Sequence, residues 1–355
     1  MLDPLKAIKG RGANKQPTNR FESRAYVREA DAVYDDEEPS HRTQFLPDAS
    51  KTIIATNDSP DIPFEASLNP YRGCEHGCIY CYARPTHEYL GFSSGLDFET
   101  KIMVKNDAPE LLRDALTAKS WQPKAVSISG VTDPYQPIER KLRIMRRCLE
   151  VFAEFRNPVG IVTKNRLVTR DIDVLKELAK YDAAIVHLSI TTLDVHLNRI
   201  MEPRTSLPQQ RLDTIAALAD AGIPVGVMMA PIIPGLTDEQ IPAVLNAAAG
   251  AGAQWAGYIM LKLPLSVAPL FEAWLDTHFP NRKDKILNRV RSMRDGKLND
   301  PNFGTRMSGK GFHADHIAQF FDLACRKAHH NERDFHLSTN DFRCPERNGQ
   351  MTLFE

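Results

Sequence analysis

Three cysteines stand close together in one glycine-containing loop: Cys74, Cys78 and Cys81, at the spacing C-x3-C-x2-C. Soft thiolate ligands at short spacing select zinc or iron–sulfur chemistry. Iron–sulfur clusters usually take four thiolates, and the remaining cysteines lie far along the sequence, at Cys148, Cys325 and Cys344. A cluster held by three cysteines leaves one iron open to a further ligand, which is the arrangement that a reaction at the metal needs.

A zinc site is the alternative interpretation of this loop, because three thiolates and one imidazole make a common closed zinc site. His76, inside the loop, and His87, shortly after it, are the candidate fourth ligands. The spacing alone leaves both metals open. An α/β pattern around the loop favours the iron–sulfur cluster.

Short apolar runs alternate with amphipathic helical patterns from about residue 65 to residue 265. The predicted strands are rich in Val and Ile and span residues 125–129, 159–163, 183–190, 225–230 and 257–260, after a first strand before Cys74. Predicted helices lie between them at 109–119, 140–155, 171–180, 208–221 and 238–251. This alternation implies right-handed βαβ units and a parallel sheet. About six units are too few for a closed eight-fold barrel, so we expect an α/β fold: a partial, open (βα)6 TIM-like barrel.

Polar residues follow the predicted strands, at the edge of the sheet where such folds gather their chemistry. Thr132 and Asp133 lie in the turn after the second strand and offer hydrogen-bond acceptors for an amine or a ribose. Lys164 closes the third strand with a point charge suited to a carboxylate. Ser189 and Thr191 end the fourth strand. These residues are the candidate cofactor ligands.

The cysteine loop resembles the signature of the radical S-adenosylmethionine (SAM) superfamily, which carries C-x3-C-x2-C after its first barrel strand. Residues 69–73 and 80–82 are similar to those of its spore photoproduct lyase and "DNA repair photolyase" group. The resemblance covers about residues 65–265. It implies that the three cysteines hold a [4Fe–4S] cluster whose open iron binds SAM. An electron from the cluster would then cleave SAM, and a 5′-deoxyadenosyl radical would remove hydrogen from a substrate.

The same resemblance implies roles for the strand-end residues. The turn at Thr132 and Asp133 lies where the family contacts the methionyl group of SAM, and related lyases use a lysine in the manner of Lys164. Ser189 and Thr191 would face the ribose. Arg204, on the loop after the fourth strand, is a further candidate. It would act either as a ligand of a carboxylate or as an ion-pair partner at the start of a helix.

Two tyrosines flank the last cysteine of the loop, Tyr80 and Tyr82. Matching tyrosines in the lyase help to hold SAM or relay a hydrogen atom, so both are candidate catalytic residues; aromatic packing around the cluster is the alternative. The lyase also has a cysteine hydrogen donor just after its second strand, whereas residues 125–137 contain no cysteine. That departure argues against spore photoproduct repair itself and leaves the SAM chemistry untouched.

The composition is that of an ordinary globular protein without a dominant charge. The 355 residues hold 45 Lys and Arg against 45 Asp and Glu, which excludes a strongly basic coat but not a local basic face. Six cysteines are too sparse for a disulfide scaffold, and the first residues have no apolar core of signal-peptide length. We therefore expect a cytoplasmic protein with reduced thiols.

Four regions are predicted along the chain. Residues 1–60 lack apolar periodicity and form an N-terminal extension, partly disordered. Residues 61–265 form the barrel, and residues 266–340 form a helical C-terminal region with helices at 269–278, 284–294 and 314–329. Residues 341–355 form a polar tail with an apolar end.

Two features outside the barrel point toward DNA. Residues 282–310 hold nine basic and three acidic residues, which suits a phosphate backbone, although a solvated helix face has the same composition. The tail contains Gln350, Leu353 and Phe354, similar to the Q-x-x-L-F peptide by which bacterial DNA enzymes dock on the sliding clamp. A tail folded back on the chain's own surface is the alternative.

These features together predict a radical SAM enzyme that acts on damaged or modified DNA and receives electrons from a flavodoxin- or ferredoxin-like donor. An RNA- or protein-modifying radical SAM enzyme is an alternative. A non-catalytic iron–sulfur adaptor at the sliding clamp is another, from a different class of protein.

Overall fold

The computed structural model describes residues 8–22 and 42–345. Its strands are β1 (Gln44–Pro47), β2 (Ile54–Thr56), β3 (Ala66–Leu68), β4 (Tyr71–Arg72), β5 (Lys101–Val104), β6 (Val126–Ile128), β7 (Val159–Thr163), β8 (Ala184–Ser189), β9 (Val225–Ile232) and β10 (Trp255–Met260). Its α-helices are α1 (Leu96–Thr100), α2 (Ala108–Thr117), α3 (Glu139–Leu142), α4 (Ile144–Phe155), α5 (Ile172–Ala179), α6 (Val195–Met201), α7 (Pro208–Asp220), α8 (Ile241–Gly250), α9 (Val267–His278), α10 (Lys283–Ser292) and α11 (Phe312–Lys327). Short 3₁₀ turns lie at Arg84–Leu90, Arg166–Asp171, Asp238–Gln240 and Pro280–Arg282.

A seven-stranded sheet positions the site. Its strand order is β10-β9-β8-β7-β6-β3-β2. The six strands from β3 to β10 in that order pair in parallel, and β2 adds an antiparallel strand at the edge beside β3. Helices connect the parallel strands, as βαβ units require. The predicted α/β fold with a parallel sheet is therefore confirmed, and the cysteine loop follows the first parallel strand.

Helix α4 shows why amphipathic spacing predicted the helices well. Ile144, Cys148, Phe152 and Phe155 recur every three or four residues along it, and each is at most 1% exposed. These side chains form one face of a 3.6-residue period and pack into the main core. Cys148 is thus a buried small apolar residue on the helix that covers the sheet.

The structure differs from the predicted elements at several points. The predicted helix 140–155 is divided into α3 and α4, because Arg143 adopts a left-handed conformation with φ 53°. The described parts of the predicted extension contribute two strands, β1 and β2. Strand β1 joins β5 and β4 in a small second sheet of order β1-β5-β4. Without apolar periodicity, nothing local in the sequence marked these strands.

The C-terminal helices α9 and α10 pack on the cysteine loop through a second apolar core. Ile79 of the loop shares this core with Leu261 after β10, Trp274 of α9 and Leu287 of α10. Trp274 also donates a hydrogen bond from Nε1 to the backbone oxygen of Ile200, at 3.0 Å. The predicted C-terminal helices are therefore part of the support for the loop. Across residues 8–22 and 42–345, no helix is both long and apolar enough to cross a membrane.

Candidate cluster and cofactor site

The cysteine loop is buried against the sheet and has two left-handed glycine positions. Cys74 and Cys78 are buried, Cys81 is partly exposed, and all three thiols are free. Gly73 and Gly77 have φ values of 78° and 66°, which L side chains rarely adopt. These two positions give the loop its turns immediately before Cys74 and Cys78.

Burial and neighbouring charges both raise the pKa values of the thiols. Burial, together with the negative charge of a neighbouring Cys74 thiolate, raises the pKa of Cys81 to about 11. Burial also raises the pKa of Cys78, with added repulsion from Glu202. Among the described residues, no three His, Cys, Asp or Glu side chains are arranged to hold a single metal ion. As a donor set, two buried thiols and one partly exposed thiol on a single loop fit the thiolate ligands of an iron–sulfur cluster.

The two imidazoles considered as zinc ligands already have protein partners. His87 Nε2 lies 3.0 Å from the backbone oxygen of Lys101, and its ring packs against Phe98. His76 lies between two polar side chains, with Nδ1 3.3 Å from Asp133 Oδ2 and Nε2 3.2 Å from Asn165 Nδ2. Both nitrogens of His76 are therefore engaged by the protein, whereas His87 Nδ1 is buried without a hydrogen-bond partner among the described residues.

An arginine that sequence reasoning missed fixes the backbone of the loop. Arg84 is fully buried and donates hydrogen bonds to the backbone oxygens of Gly77 (3.2 Å) and Cys78 (3.1 Å). Its guanidinium pairs with Glu99 Oε1 at 2.5 Å. Charged side chains are rarely fully buried, so composition gave no signal for this pair.

Segment 8–22 covers the loop from outside. Glu99 accepts hydrogen bonds from the backbone N–H groups of Gly12 (3.0 Å) and Ala13 (2.8 Å). A Cβ at Gly12 would lie 1.8 Å from the backbone oxygen of Gly77, so the two chain segments touch backbone to backbone. The extension therefore includes a strap across the cysteine loop, here defined as residues 8–22.

Three strand-end candidates and one tyrosine of the cysteine loop meet in one cluster, here called the Lys164 network: Lys164, Ser189, Thr191 and Tyr80, together with Glu202. Lys164 Nζ lies 2.6 Å from Ser189 Oγ and 3.2 Å from Glu202 Oε1. Tyr80 donates a hydrogen bond to Glu202, and Thr191 Oγ1 donates to the same carboxylate at 2.9 Å. The parallel strands thus bring Lys164, Ser189 and Thr191 to one edge, where they meet Tyr80 of the cysteine loop and Glu202 of the segment after α6.

Glu202 is the centre of this network and was missed as a site residue. Burial alone would raise its pKa, but the charges of Arg211 and Lys164 outweigh burial and hold the pKa below its usual range. Arg211 is itself buried and pairs with Glu202 Oε2. The carboxylate is therefore ionised and held in place, with Lys164 at its more open side.

Thr132 and Asp133 lie beside the loop and bond to the protein itself. Thr132 Oγ1 donates to the backbone oxygen of Gly73 at 2.8 Å. Asp133 accepts from Thr163 Oγ1 and from the backbone N–H of Lys164, both at 2.8 Å. In this arrangement both residues tie the cysteine loop to the ends of β6 and β7.

Arg204 and Tyr82 lie away from the Lys164 network. Arg204 Nη1 pairs with Glu75 Oε1 at 3.1 Å, on the cysteine loop. Tyr82 is 46% exposed, donates a hydrogen bond to the backbone oxygen of Gly130, and lies under Lys262, whose Nζ is 4.6 Å from the ring centroid. Lys262 follows β10, so the strand-end rule that found Lys164 could also have found it.

The basic stretch 282–310 does not form a continuous free face. Arg289 pairs with Asp238 at 3.5 Å and Arg306 pairs with Asp61 at 2.6 Å. Arg294 is buried and donates to backbone oxygens, including that of Leu261 at 2.7 Å. The tail residues Gln350, Leu353 and Phe354 lie outside the described residues.

The fold and the site together define an α/β protein with a three-thiol loop at the carboxyl edge of a parallel sheet. The profile of the Radical SAM superfamily matches residues 68–248. An uncharacterised protein of Mycobacterium tuberculosis is 37% identical over 234 residues, which are 65% of this chain and 68% of that protein. A radical SAM Nalpha-GlyT isomerase of Pseudomonas phage M6 is 30% identical over 186 residues, 52% of this chain and 36% of that protein.

Among solved structures, spore photoproduct lyase has a similar fold. The match has a TM-score of 0.59 at 16% identity and covers 80% of this chain and 79% of the lyase. The chain belongs to the radical SAM superfamily, and it is a radical SAM enzyme. The family implies a [4Fe–4S] cluster and SAM as cofactors.

Proposed function

We propose that this enzyme holds a [4Fe–4S] cluster on Cys74, Cys78 and Cys81 and uses it to cleave SAM, so that hydrogen is removed from a nucleic-acid substrate. The cluster, when bound, supplies the electron that breaks a carbon–sulfur bond of SAM. The observation that carries the proposal is the Lys164 network beside the three free thiols of the cysteine loop.

The residues of the network divide the binding of SAM between them. Lys164 offers an ammonium group for the carboxylate of SAM, held in position by Ser189 Oγ and by the backbone oxygen of Ala230 at 3.1 Å. Glu202 is itself buried and holds the Lys164 ammonium group in position at 3.2 Å. Tyr80 is held by its hydrogen bond to Glu202, which orients the ring next to Cys81.

The nucleic-acid part of the proposal draws on relatives. Spore photoproduct lyase, whose fold this chain shares, has been solved in complex with a dinucleoside spore photoproduct. The substrate proposed for this chain is a damaged or modified DNA base other than spore photoproduct, because no cysteine is present in residues 125–137. The setting proposed is the cytoplasm, where thiols stay reduced.

The experiment is 5′-deoxyadenosine release by the anaerobically reconstituted enzyme with dithionite and SAM. Release that rises with ultraviolet-irradiated DNA but not with intact DNA supports the proposal. Release that irradiated DNA leaves unchanged overturns the DNA substrate and directs the search to RNA and protein. No release, with the cluster intact, favours the adaptor function.

Variants test the assigned residues in the same assay. Cys78→Ala should abolish cluster assembly and release together. Lys164→Met should retain the cluster and raise the KM for SAM about tenfold or more, since a hydrogen bond to a charged group contributes about 1.5–3 kcal/mol. Lys285→Gln, an exposed change on α10, is the control and should leave both unchanged. An unchanged KM in Lys164→Met would remove Lys164 from the SAM site.

We also propose that the tail docks on the bacterial sliding clamp through Gln350, Leu353 and Phe354, because two apolar anchors and one amide suit a pocket on a partner protein. Deleting residues 350–355 should abolish clamp binding and leave dithionite-driven release of 5′-deoxyadenosine unchanged. Equal clamp binding by the full and shortened chains would contradict this.

A further inference from the structure

We propose that Lys262 binds a phosphate of the DNA substrate and that the exposed rings of Tyr82 and Phe303 stack on its bases. These side chains come from three parts of the chain: the end of the cysteine loop, the segment after β10 and the loop before α11. They are separate from the Lys164 network proposed for SAM. The inference rests on the proposed function, since it names the surface that receives the DNA.

Lys262 is a partly buried cation without an acidic partner. Among the residues that the structure describes, its ammonium group forms no ion pair, and its Nζ lies 3.5 Å from Met307 Sδ. The charge of Asp61 favours the ammonium form, but that carboxylate pairs with Arg306 at 2.6 Å. Burial, together with the charges of Arg306 and Arg294, lowers the pKa of Lys262 to about 8. A negatively charged ligand would supply the partner that this desolvated cation lacks.

Tyr82 connects Lys262 to the cysteine loop. It follows Cys81 directly, and nearly half of its surface is exposed. Its hydroxyl donates a hydrogen bond to the backbone oxygen of Gly130 after β6, while Lys262 Nζ lies 4.6 Å from the centre of its ring. A phosphate bound to Lys262 would therefore lie beside the loop that is proposed to hold the cluster.

Phe303 lies on a segment that bridges the two ends of the seven-stranded sheet. The backbone N–H of Met260 in β10 donates to the backbone oxygen of Met307 at 2.8 Å, and Arg306 pairs with Asp61 in the loop between β2 and β3. Strands β10 and β2 are the two ends of the strand order. Phe303 is 61% exposed, and the Arg306 guanidinium lies 4.7 Å from the centre of its ring. The bridging segment thus presents a second exposed ring close to Lys262.

Exposed rings beside cations are the elements from which proteins build sites for unpaired nucleic-acid strands. Bases stack on the aromatic faces, and the cations bind the phosphates. An enzyme that attacks an atom of a DNA base must also take that base out of the helical stack. Two exposed rings and one cation without a counter-charge, next to the cysteine loop, suit a short unstacked stretch of the strand.

The test is the affinity of the anaerobically reconstituted enzyme for an ultraviolet-irradiated DNA oligonucleotide, measured by fluorescence anisotropy. Lys262→Met should raise the Kd about tenfold, because it removes a hydrogen bond to a charged group. It should also lower the slope of log Kd against log salt concentration by about one. Lys262→Arg keeps the charge and should stay within about threefold of the wild type. Lys285→Gln, an exposed change on α10, is the control and should leave Kd and slope unchanged.

A second variant tests the aromatic part of the site. Phe303→Ala removes an exposed ring without opening the core, and it should raise the Kd about fivefold or more, since base stacking on an aromatic side chain contributes strongly to affinity. The matched control is Phe312→Ala, which removes an 80% exposed ring at the start of α11 and should leave the Kd unchanged. The visible absorbance of the cluster shows that each variant is folded.

A Kd within about twofold of the wild type in both Lys262→Met and Phe303→Ala would overturn the proposal. Unchanged DNA affinity with a raised KM for SAM in Lys262→Met would assign Lys262 to the cofactor and overturn it too. Displacement of the oligonucleotide by an equal charge concentration of a polyglutamate peptide would assign the surface to an acidic protein instead. A wild type that binds no DNA would refute this inference together with the DNA substrate of the proposed function. Release of 5′-deoxyadenosine that rises with irradiated DNA, with unchanged affinity in both variants, would refute this inference alone.

Discussion

Replacing Glu99 by Gln tests whether the buried pair with Arg84 holds the cysteine loop and its strap together. Glu99 Oε1 accepts hydrogen bonds from Arg84 Nη2 at 2.5 Å and from the N–H of Ala13 at 2.8 Å, and Oε2 accepts from the N–H of Gly12 at 3.0 Å. Glutamine has the same shape but turns one oxygen into an NH2 group. Whichever oxygen is replaced, the new donor faces an existing N–H donor, and Arg84 stays charged without a carboxylate.

The magnitude follows from the burial of both partners. Arg84 and Glu99 are each 0% exposed, and removing one partner of a buried pair costs about 3–5 kcal/mol. Arg84 keeps its bonds to the backbone oxygens of the loop, so we place the loss in the unfolding free energy at the lower end, about 3 kcal/mol. The double variant Arg84→Met/Glu99→Gln should lose less unfolding free energy than the two single variants lose together, and this difference, the coupling energy, should be about 1–3 kcal/mol.

Urea unfolding of the anaerobic holoenzyme, followed by circular dichroism, measures these free energies. The visible absorbance of the cluster, followed after exposure to air, measures whether the strap still shields the loop; we expect faster loss in Glu99→Gln. The control is Glu110→Gln, which removes an exposed carboxylate whose ion pair with Arg147 spans 3.8 Å and should cost at most about 1 kcal/mol. A Glu99→Gln protein within about 0.5 kcal/mol of the wild type would refute the reasoning.

Two further changes address the strap and a buried histidine. Gly12→Ala places a Cβ 1.8 Å from the backbone oxygen of Gly77, so the strap should lift from the loop and cluster loss in air should accelerate. The control is Gly250→Ala, where a Cβ meets nothing within 4 Å and the backbone is not left-handed; equal rates in the two variants would contradict the contact. Burial lowers the pKa of His87 to about 4. Between about pH 6.5 and pH 4 the unfolded chain therefore binds a proton at His87 that the folded protein does not bind. The free energy of unfolding should fall for this reason by about 2 kcal/mol between pH 7 and pH 5. His87→Phe should remove that share of the pH dependence in urea unfolding, and an unchanged slope would show that His87 does not contribute it.

Much of the sheet could be predicted from the sequence because its strands are locally distinct. The predicted strand 159–163 coincides with β7, and the other predicted barrel strands each overlap an observed strand. Runs of Val and Ile between amphipathic helices carry that information in a few adjacent residues. The strap and β1 could not be predicted in the same way, since Gly12 and Ala13 find their partner Glu99 more than 80 positions away.

The residues of the candidate site also divide into those that local sequence signals predict and those that depend on distant partners. Lys164, Ser189 and Thr191 were found because they follow strands, and a parallel sheet brings the ends of its strands together. Glu202 lies on the segment after α6, where the strand-end rule does not apply, and its role depends on Lys164 and Arg211 approaching it from two other elements. Sequence reasoning could therefore identify residues placed by topology, but not those placed by side-chain packing.

Buried charges are concentrated around the cysteine loop, and stability does not explain that concentration. Replacing buried ion pairs by apolar side chains is often neutral or stabilising, yet the pairs Arg84–Glu99 and Arg211–Glu202 both lie next to the loop. Each pair fixes something that an apolar contact cannot: Arg84 orients backbone oxygens of the loop, and Arg211 fixes the carboxylate that faces Lys164. A ligand set must be held to within about 0.5 Å by its supporting residues to be effective. The loop and the Lys164 network therefore keep a fixed relation to each other through directional bonds, as the proposed transfer of one electron from a cluster to SAM would require.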